Sequence, residues 1–555
     1  MGKPNKNNKG KKGKGSGKPN SKPKDTAPKE EQGEAPNTQS YKGNHFEYYN
    51  GYPALLENAS KVVTSNILGD VLYLGSPSVH TSAGENAVEP TYRSEAFPGI
   101  MRIDTLFGPG YSLDINSAVN RAATDLHMYV ASKRSAAIKN YDSASLIMMV
   151  NALDSAIVWF SVLKRLYYTI KKNSPYNLYY RKALIHAQGF DFEELKDNLP
   201  ILANIINDFS VSMARYQIPK FYIQDRHRWL FENYFCDDDI SHNPKAQLFF
   251  YRPSGLYFLY ETDIDKDRGI TRLRYKDWDH LVNDTVSTPI LGLANIASIT
   301  QRFTGILNYS SDFYMIMSDI MNAYESADLV TWDFIDDSDY WDPIYDEEAI
   351  IQLHNANITG KPQTNGECDI TQEFDEANPS FYIRWAPYTI SGHHTATELK
   401  LRQLQKLDFL SEPDTELITR SSRFLTTYKS EEDIDPSMYP GAQGFMCGTE
   451  VVTTVSLFCY EQHTEDTDIR LYEHSTSGIA TSNIVFINML TDYTLAPKIY
   501  YSSSNTKEGG VTYYSYQEFW NVHDYAYVPN STIYMLHRAC VMSEWRVKEV
   551  ENLKF

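Results

Sequence analysis

Residues 141–172, YDSASLIMMVNALDSAIVWFSVLKRLYYTIKK, decide how this chain is read. Leu146, Val150, Leu153, Ile157, Phe160, Leu163, Tyr167 and Ile170 recur at steps of three or four, which places all eight on one face of a helix. Asn151, Asp154, Ser161 and Arg165 fall on another face and draw a narrow polar stripe along an otherwise apolar element. Asp142 or Ser143 can cap its start. Asp154 inside the helix and Lys164-Arg165 across it argue for a buried helix of a soluble protein rather than a membrane span. The block continues through YNLYYRKALIHAQGFDFEELKDNLPILANIINDFSVSMARYQIP (176–219) and closes with FYIQDRHRWLFENYF (221–235). Nothing in it has the character of an active site; it reads as scaffold. The polar stripe is either an internal hydrogen-bonded network or a face meeting a neighbouring subunit. The internal network is favoured, because an Asp-to-Arg reach within one helix needs no partner.

The chain has 555 residues, enough for a sizeable core and for about three domains. It is 42% hydrophobic and 22% charged, the profile of a soluble globular protein. Its 41 tyrosines suit either semi-exposed contact surfaces or a core with Tyr in place of Phe. Cys236, Cys368, Cys447, Cys459 and Cys540 are scattered and form no C-x-x-C pair, so neither a disulfide framework nor a zinc knuckle is signalled. The N-terminus is polar from Met1 and has no signal-peptide pattern.

Charge is unevenly placed. The net charge is −19, yet residues 1–24 carry nine lysines and no acid, which leaves −28 on the remainder. Lys3, Lys6, Lys9, Lys11, Lys12, Lys14, Lys18, Lys22 and Lys24 are spread through a Gly/Pro/Asn-rich segment that has no aromatic residue before Tyr41. Residues 1–44 cannot bury enough apolar area to offset their ordering entropy and read as a disordered basic arm. Such lysines suit phosphate contact without base readout, or serve as a solubilising tail.

Along the rest of the chain, HFEYYNGYPALLENASKVVTSNILGD (45–70) includes a short helix, and a Gly/Pro/Ser-rich connector with short strands follows. Gly108-Pro109-Gly110 lacks a third glycine and a clear preceding strand, so a dinucleotide-binding loop is discarded. Residues 114–235 are mostly helical. Asp114 and Asn116 cap a helix to about Lys133, Asp191 starts a short one, and Pro200 opens the next behind Asn198. AQLFFYRPSGLYFLYETD (246–263) reads as two strands of a hairpin around Pro253-Ser254-Gly255. Asp237, Asp238 and Asp239 form a solvated turn rather than an ion site. Helices return over 286–327, capped by Ser310 or Ser311, with Met315, Met317 and Met321 as core filling. Acids accumulate from 328 to 348 with aromatics interleaved, the pattern of a solvated loop with aromatic anchors. From about 380 the chain is β-biased, with strands in FYIRWAPYTI, EVVTTVSLFCYE, SNIVFINML, APKIYYSSS, VTYYSYQEFW and STIYMLHRACVM and one helix from Thr397 to Leu410.

The chemistry-bearing motifs are missing. There is no G-x-x-x-x-G-K-S/T loop, H-E-x-x-H, G-x-S-x-G elbow or kinase set, and Gly69-Asp70 is followed by Val71 rather than by a second Asp. His393 and His394 would point to opposite faces of a strand. His354, His463, His474 and His523 lie in loops or next to acids. A Ser, His and Asp brought together from distant positions stays open. No catalytic residue, metal ligand or cofactor is assigned.

Several pieces in one order carry a family resemblance. DSASLIMMVNALDSAIVWFSVLKRLY, DFEELKDNLPILANIINDFSVSMARYQIP and RHRWLFENYF resemble picobirnavirus capsid proteins. That family shows an LDSA helix ending in Arg-Leu-Tyr, then a DNL helix, then an aromatic segment. The likeness continues through KAQLFFYRPSG, SSDFYMIMSDIMNAY and DEEAIIQLHNANITG, and returns at GTEVVTTVSLF. It covers roughly 140–360 well and 380–530 loosely, and the basic arm matches the family pattern. The 333–348 and 411–440 regions match least.

The resemblance implies an α+β fold with a predominantly helical shell domain, a β-containing projecting domain and a disordered basic N-terminal arm. The corresponding division is 1–44 arm, 45–330 shell, 331–535 projection and 536–555 returning to the body. It implies a non-enzymatic coat protein that assembles as symmetric homodimers into an icosahedral virion shell around double-stranded RNA. The nine arm lysines would contact that RNA, a viral polymerase could be enclosed, assembly would take place in the host cytoplasm, and no membrane anchor is involved. The main alternative is a monomeric RNA-binding or RNA-modifying enzyme with a basic tail; a second is a fibre or surface-binding protein built on the Tyr-rich β segments.

Overall fold

In the computed structural model, the 141–172 stretch forms helix α2 (Ser143–Lys171), which starts where the Asp142 carboxylate accepts the Ser145 N–H at 2.7 Å. No Gly or Pro interrupts it. It ends as the Lys172 N–H bonds back to Tyr168 and the backbone turns extended. The structure describes residues 99–547, together with two short strands at 71–73 and 94–96. Within 99–547 it leaves out the segments 134–140, 173–177, 240–245, 260–271, 308–310, 337–341, 362–365, 388–403, 429–443, 463–468, 477–478, 481–483, 507–511 and 522–523, and the single residues 367 and 410. The 1–44 arm, the 45–69 helix and His393-His394 lie outside the described residues.

Of the 29 residues of α2, 26 are buried. A helix apolar on nearly every side must be covered on every side. The cover comes from α1 (Ala118–Lys133), α3 (Leu178–Gln188), α5 (Leu199–Met213) and α6 (Tyr222–Glu232), and from strands of two sheets. The short α4 (Phe192–Asp197) leads into α5 and is capped by the Asp191 carboxylate, which accepts from Glu193 and Glu194. Asn198 holds the N-cap position of α5, but its side chain donates to the Glu194 carbonyl instead of capping. Asp114 accepts from Asn116 and so shapes the turn before α1. Trp159 sits at the centre of the core, its Nε1 donating to Thr300 on α7 (Leu293–Leu307) and its ring beside Phe190 and Trp278. On α8 (Ser311–Ala323), Met317 packs on the core, whereas Met321 is 54% exposed and fills nothing.

The main sheet has the order β14-β13-β3-β5-β4. β3 (Ile100–Phe107) is buried along its whole length and pairs in parallel with β5 (Leu248–Pro253) and antiparallel with β13 (Glu450–Gln462). β14 (Ile469–Thr476) and β4 (Phe235–Cys236) are the edges. Strands from either side of residue 331 therefore share one sheet. A second, antiparallel sheet runs β6 (Gly255–Leu259), β7 (Arg272–Asp277), β8 (Ile370–Asp375) and β9 (Ser380–Arg384).

The two strands read from 246–263 are present, but they do not pair as a hairpin. β5 belongs to the first sheet and β6 to the second, and Pro253-Ser254-Gly255 is the bend where the chain crosses between them. Ser254 is held on both sides, donating to the Thr105 carbonyl at 2.9 Å and accepting from the Trp278 N–H at 2.8 Å. Gly255 is required there, because a Cβ would lie 2.1 Å from the Lys276 carbonyl oxygen.

The C-terminal third mixes strands with helices that its composition concealed. Leu404–Phe409, expected within a helix, is strand β10, paired antiparallel with β18 (Asp524–Pro529). Gln405, Leu407, Asp408 and Phe409 are all buried, and pairing with β18 along the whole strand, not the Leu spacing, decides the element. SNIVFINML and STIYMLHRACVM, expected as strands, form helices α11 (Ile484–Leu490) and α12 (Asn530–Glu544). In α12 the buried Ile533, His537, Cys540, Val541 and Glu544 recur at helical steps, and this tertiary demand overrides β propensity. The other strands are as read in EVVTTVSLFCYE, APKIYYSSS and VTYYSYQEFW. β15 (Ile479–Ala480), β16 (Ile499–Thr506) and β17 (Thr512–Phe519) form a small sheet, and β11 (Thr426–Tyr428) and β12 (Gly444–Met446) a two-stranded one. β1 (Val71–Tyr73) pairs with β2 (Ser94–Ala96). α9 (Glu347–His354) and α10 (Thr415–Ser421) complete the α-helices among the described residues, and α12 packs against α1 and α6. The fold is mixed α+β, and all the described elements lie in the unit 66–555.

Gly255→Ala tests the sheet-crossing bend. The added methyl forces β6 and β7 apart, and the variant should lose about 2–3 kcal/mol of stability in denaturant unfolding of the expressed protein.

Candidate functional site

Of the four polar residues of α2, Asn151, Asp154 and Arg165 reach three separate sets of partners, and the Ser161 hydroxyl is buried with no hydrogen-bond partner among the described residues. Asn151, Asp154, Ser161 and Arg165 are all buried within a single chain, so the stripe is internal and not a face awaiting a neighbour. The reason given for expecting this was wrong, however. Asp154 and Arg165 are three turns apart and bond to different partners. Asn151 donates to the Ile147 carbonyl of its own helix. Arg165 donates to the Gln188 side chain at 3.1 Å and to the Tyr251 and Asn233 carbonyls at 2.9 and 3.3 Å. Its guanidinium lies 4.8 Å from the Phe250 ring centre and 5.5 Å from that of Tyr234. Burial lowers the Arg165 pKa to about 10.

Asp154 opens onto a larger cluster. Its carboxylate accepts a hydrogen bond from His227 Nδ1 at 2.7 Å, and His227 Nε2 stands 3.6 Å from Glu450. Glu450, the first residue of β13, also receives Arg226 at 3.1 Å and Arg423 at 2.8 Å. Arg423 bridges on to Glu544 at the end of α12, and Thr449 donates to the same carboxylate at 3.0 Å. The cluster thus ties α2, α6, the segment after α10, the start of β13 and the C-terminal helix at one point. Burial by itself would raise the Glu450 pKa, but Arg423, Arg226 and His227 hold it well below the usual carboxylate range. Burial would likewise lower His227, but the charge and hydrogen bond of Asp154 outweigh it and leave the imidazole raised. For Glu544, burial prevails over Arg423 and the carboxyl is raised.

Two more buried clusters brace the sheets. Arg252 donates to Asp104 at 2.6 Å and covers the Trp278 ring, while Arg102 reaches Asp104 at 3.2 Å and Glu473 at 2.5 Å. His354, expected in a loop, ends α9, pairs with Asp408 at 2.8 Å and stacks on Trp520. Burial lowers its pKa despite that partner.

These groups hold structure and are not arranged for turnover. The His227 and His354 side chains are fully buried, and neither is bonded to a Ser or Cys nucleophile. Among the described residues no three His, Cys, Asp or Glu side chains are placed to hold a metal ion. Asp237 accepts the Gln247 and Thr494 N–H groups, so it organises its loop. Gly108 does follow a clear strand, β3, contrary to the sequence reading. The space over it is filled by Trp385, 2.3 Å from where a Cβ would stand. In the acidic run, Trp332 packs against Phe160 and Phe209, whereas Phe334 is 59% exposed. α2 is long and apolar enough to cross a membrane, yet its apolar window is wholly buried in protein. Lys3, Lys6, Lys9, Lys11, Lys12, Lys14, Lys18, Lys22 and Lys24 lie outside the described residues. His227, Arg226, Arg423, Glu450 and Glu544 went unread in the sequence, because no local pattern links positions so far apart.

Among the described residues, the buried ion pairs join distant segments of one chain, which is a structural task. The comparisons supply the class of protein. The family model described as Picobirnavirus, Capsid protein, matches residues 48–506. The capsid protein precursor of Human picobirnavirus is 23% identical over 547 residues, 91% of each chain. The solved structure titled "X-ray crystallographic structure of the picobirnavirus capsid" superposes with a TM-score of 0.70 at 16% identity, covering 92% of this chain and 100% of that one. The chain belongs to the picobirnavirus capsid protein family. It is a non-enzymatic structural protein whose place is the virion.

Removing the Glu450 charge takes the carboxylate away from Arg226 and leaves the buried Arg423 with Glu544 as its remaining anion. Glu450→Gln should cost about 3–5 kcal/mol in denaturant unfolding. The pH dependence has two limits. The raised His227 contributes fully below its unfolded value of about 6.5, and that contribution is lost as pH rises through its folded pKa. The lowered Glu450 contributes above about 4.5, and its contribution is lost as pH falls through its folded pKa. Unfolding curves across pH should show His227→Gln removing the alkaline loss of stability and leaving the acid loss in place.

Proposed function

We propose that this chain forms symmetric homodimers that build an icosahedral shell around double-stranded RNA, assembled in the host cytoplasm. The observation that carries the proposal is the family match across 48–506 combined with a lysine arm that precedes it. In this reading the arm, residues 1–44, points inward, and its nine lysines contact RNA phosphates by counterion release. Residues 45–330 supply the shell body, 331–535 most of the projection and the dimer contacts, and 536–555 return to the body. The pairing of β13 with β3, and of β14 with β13, supports counting these two strands with the shell body even though they lie within 331–535. The body outside the first 24 residues carries −28. An inner wall of low positive charge would let a packaged duplex slide past an enclosed polymerase.

Deleting residues 1–24 tests the arm. Shells should still form, but with a several-fold lower content of nucleic acid at physiological salt. Unchanged packaging would remove the arm from the mechanism. Negative-stain microscopy and size-exclusion chromatography of the expressed full chain separate the readings at the outset. Uniform hollow particles support the capsid reading, and a persistent monomer of 63.6 kDa supports an RNA-binding enzyme.

A further inference from the structure

Two of the five cysteines, 93 positions apart in sequence, meet in the interior. Cys447 follows β12, and its backbone N–H donates to the Leu425 carbonyl at 2.9 Å. Its Sγ lies 3.4 Å from the Ser422 hydroxyl. Cys540, on α12, directs its Sγ at the Thr419 carbonyl, 3.9 Å away. Thr419 and Ser422 belong to one turn at the end of α10, where the Ser422 hydroxyl donates to the Thr419 carbonyl at 2.8 Å. Both sulfurs therefore rest on the same turn, and the two thiols are near enough to act on each other's ionisation.

The segments around them are already joined. Gly448, next to Cys447, donates to His537 Nδ1 at 3.2 Å, one helical turn before Cys540. The Phe445 ring packs edge-on against His537 and beside Tyr534. Arg423 lies close by and acts on both sulfurs.

We propose that Cys447 and Cys540 form a reversible disulfide that staples the C-terminal helix to the turn opening β13. The oxidant is a small disulfide such as oxidised glutathione. The Cys540 thiolate attacks one of its sulfurs, forming a mixed disulfide and releasing one glutathione thiolate. Cys447 then loses its proton and attacks the Cys540 sulfur, forming the Cys447–Cys540 bond and releasing the second glutathione. The two protein thiols are oxidised by two electrons and one glutathione disulfide is reduced to two thiols. The order of attack follows from the surroundings of the two sulfurs. The neighbouring thiol and Arg423 favour the Cys540 thiolate despite burial, while the neighbouring thiol and burial raise Cys447.

The pair is reduced in the cytosol and oxidises once a particle leaves it. The bond would close the loop 447–540, which contains Arg423's partner Glu450 and ends one helical turn before its other partner, Glu544, and so would hold the two carboxylates of the cluster together.

The test uses the full-length wild-type chain, as particles and as unassembled protein, equilibrated with oxidised glutathione and then unfolded in alkylating denaturant. Titratable thiols should fall from five to three per chain. Non-reducing peptide mass spectrometry should find a single linked pair, Cys447 with Cys540. The thermal midpoint should rise by about 5 °C and return on adding dithiothreitol. Cys447→Ser should abolish both the linked peptide and the rise. Five thiols still titrating after oxidation, or links scattered over the other cysteines, would overturn the proposal. Because the readouts do not require assembly, their failure is distinct from failure of the capsid reading.

Discussion

The structure depends on one constraint: α2 has almost no solvent face. A helix with 26 of 29 residues buried cannot be stabilised by one neighbour. It needs protein on every side, and that protein has to come from distant parts of the chain. Helices α1, α3, α5 and α6 cover parts of it, and β6, β8 and β9 cover the rest. Each buried Leu, Ile or Phe along it contributes about 1.5–3 kcal/mol. The same burial makes every polar atom on it a liability unless it has a partner. Ser155 is a small example: its hydroxyl accepts the Tyr257 N–H of β6 at 2.9 Å, so a polar residue of the helix fixes the register of a sheet strand. Asp154 is the large example, because satisfying it recruits His227, and through Glu450 and Arg423 the C-terminal helix.

How much of this is legible in the sequence depends on the range of the information. α2 is legible because its periodicity, length and Asp142 cap are local and agree with one another. So are β3's neighbours β5 and β13 as strands, and Asp191 as a cap. Pairing is not local. The Pro253-Ser254-Gly255 signal is shared by hairpin turns and by a bend between sheets, and the Lys276 carbonyl over Gly255 decides between them. α12 was misread for a related reason. Its Ile, Tyr, Val and Cys content fits a strand taken in isolation. The burial of Ile533, His537, Cys540 and Glu544 at helical spacing becomes visible once α1 and α6 are beside it. The charged cluster was the least legible feature, because residues 154, 226, 227, 423, 450 and 544 share no spacing. Membership of the capsid family was legible from the order of several ordinary helices and strands, none of which carries chemistry.

Buried ions are a poor way to make a protein stable. Desolvating Glu450, Glu544, Arg226 and Arg423 costs several kcal/mol each, and well-packed apolar residues of the same size would often serve as well or better. What such a cluster supplies is exclusion of alternatives. A shifted α12 or a slipped β13 still buries apolar surface, but it strands Arg423 or Glu450 without a partner in a water-free site. The bulge between Val452 and Thr454 works in the same direction, pinning β13 to β3 while Thr453 donates to the Asp104 carbonyl at 2.9 Å. A coat protein has a particular need for this. Many copies must present one surface geometry to each other, and a subunit that can repack by one register presents a different one. The stability of each copy comes from the apolar cover around α2. The uniformity of the copies comes from charges that can be satisfied in only one arrangement, which is why they sit where the N-terminal and C-terminal halves of the chain meet.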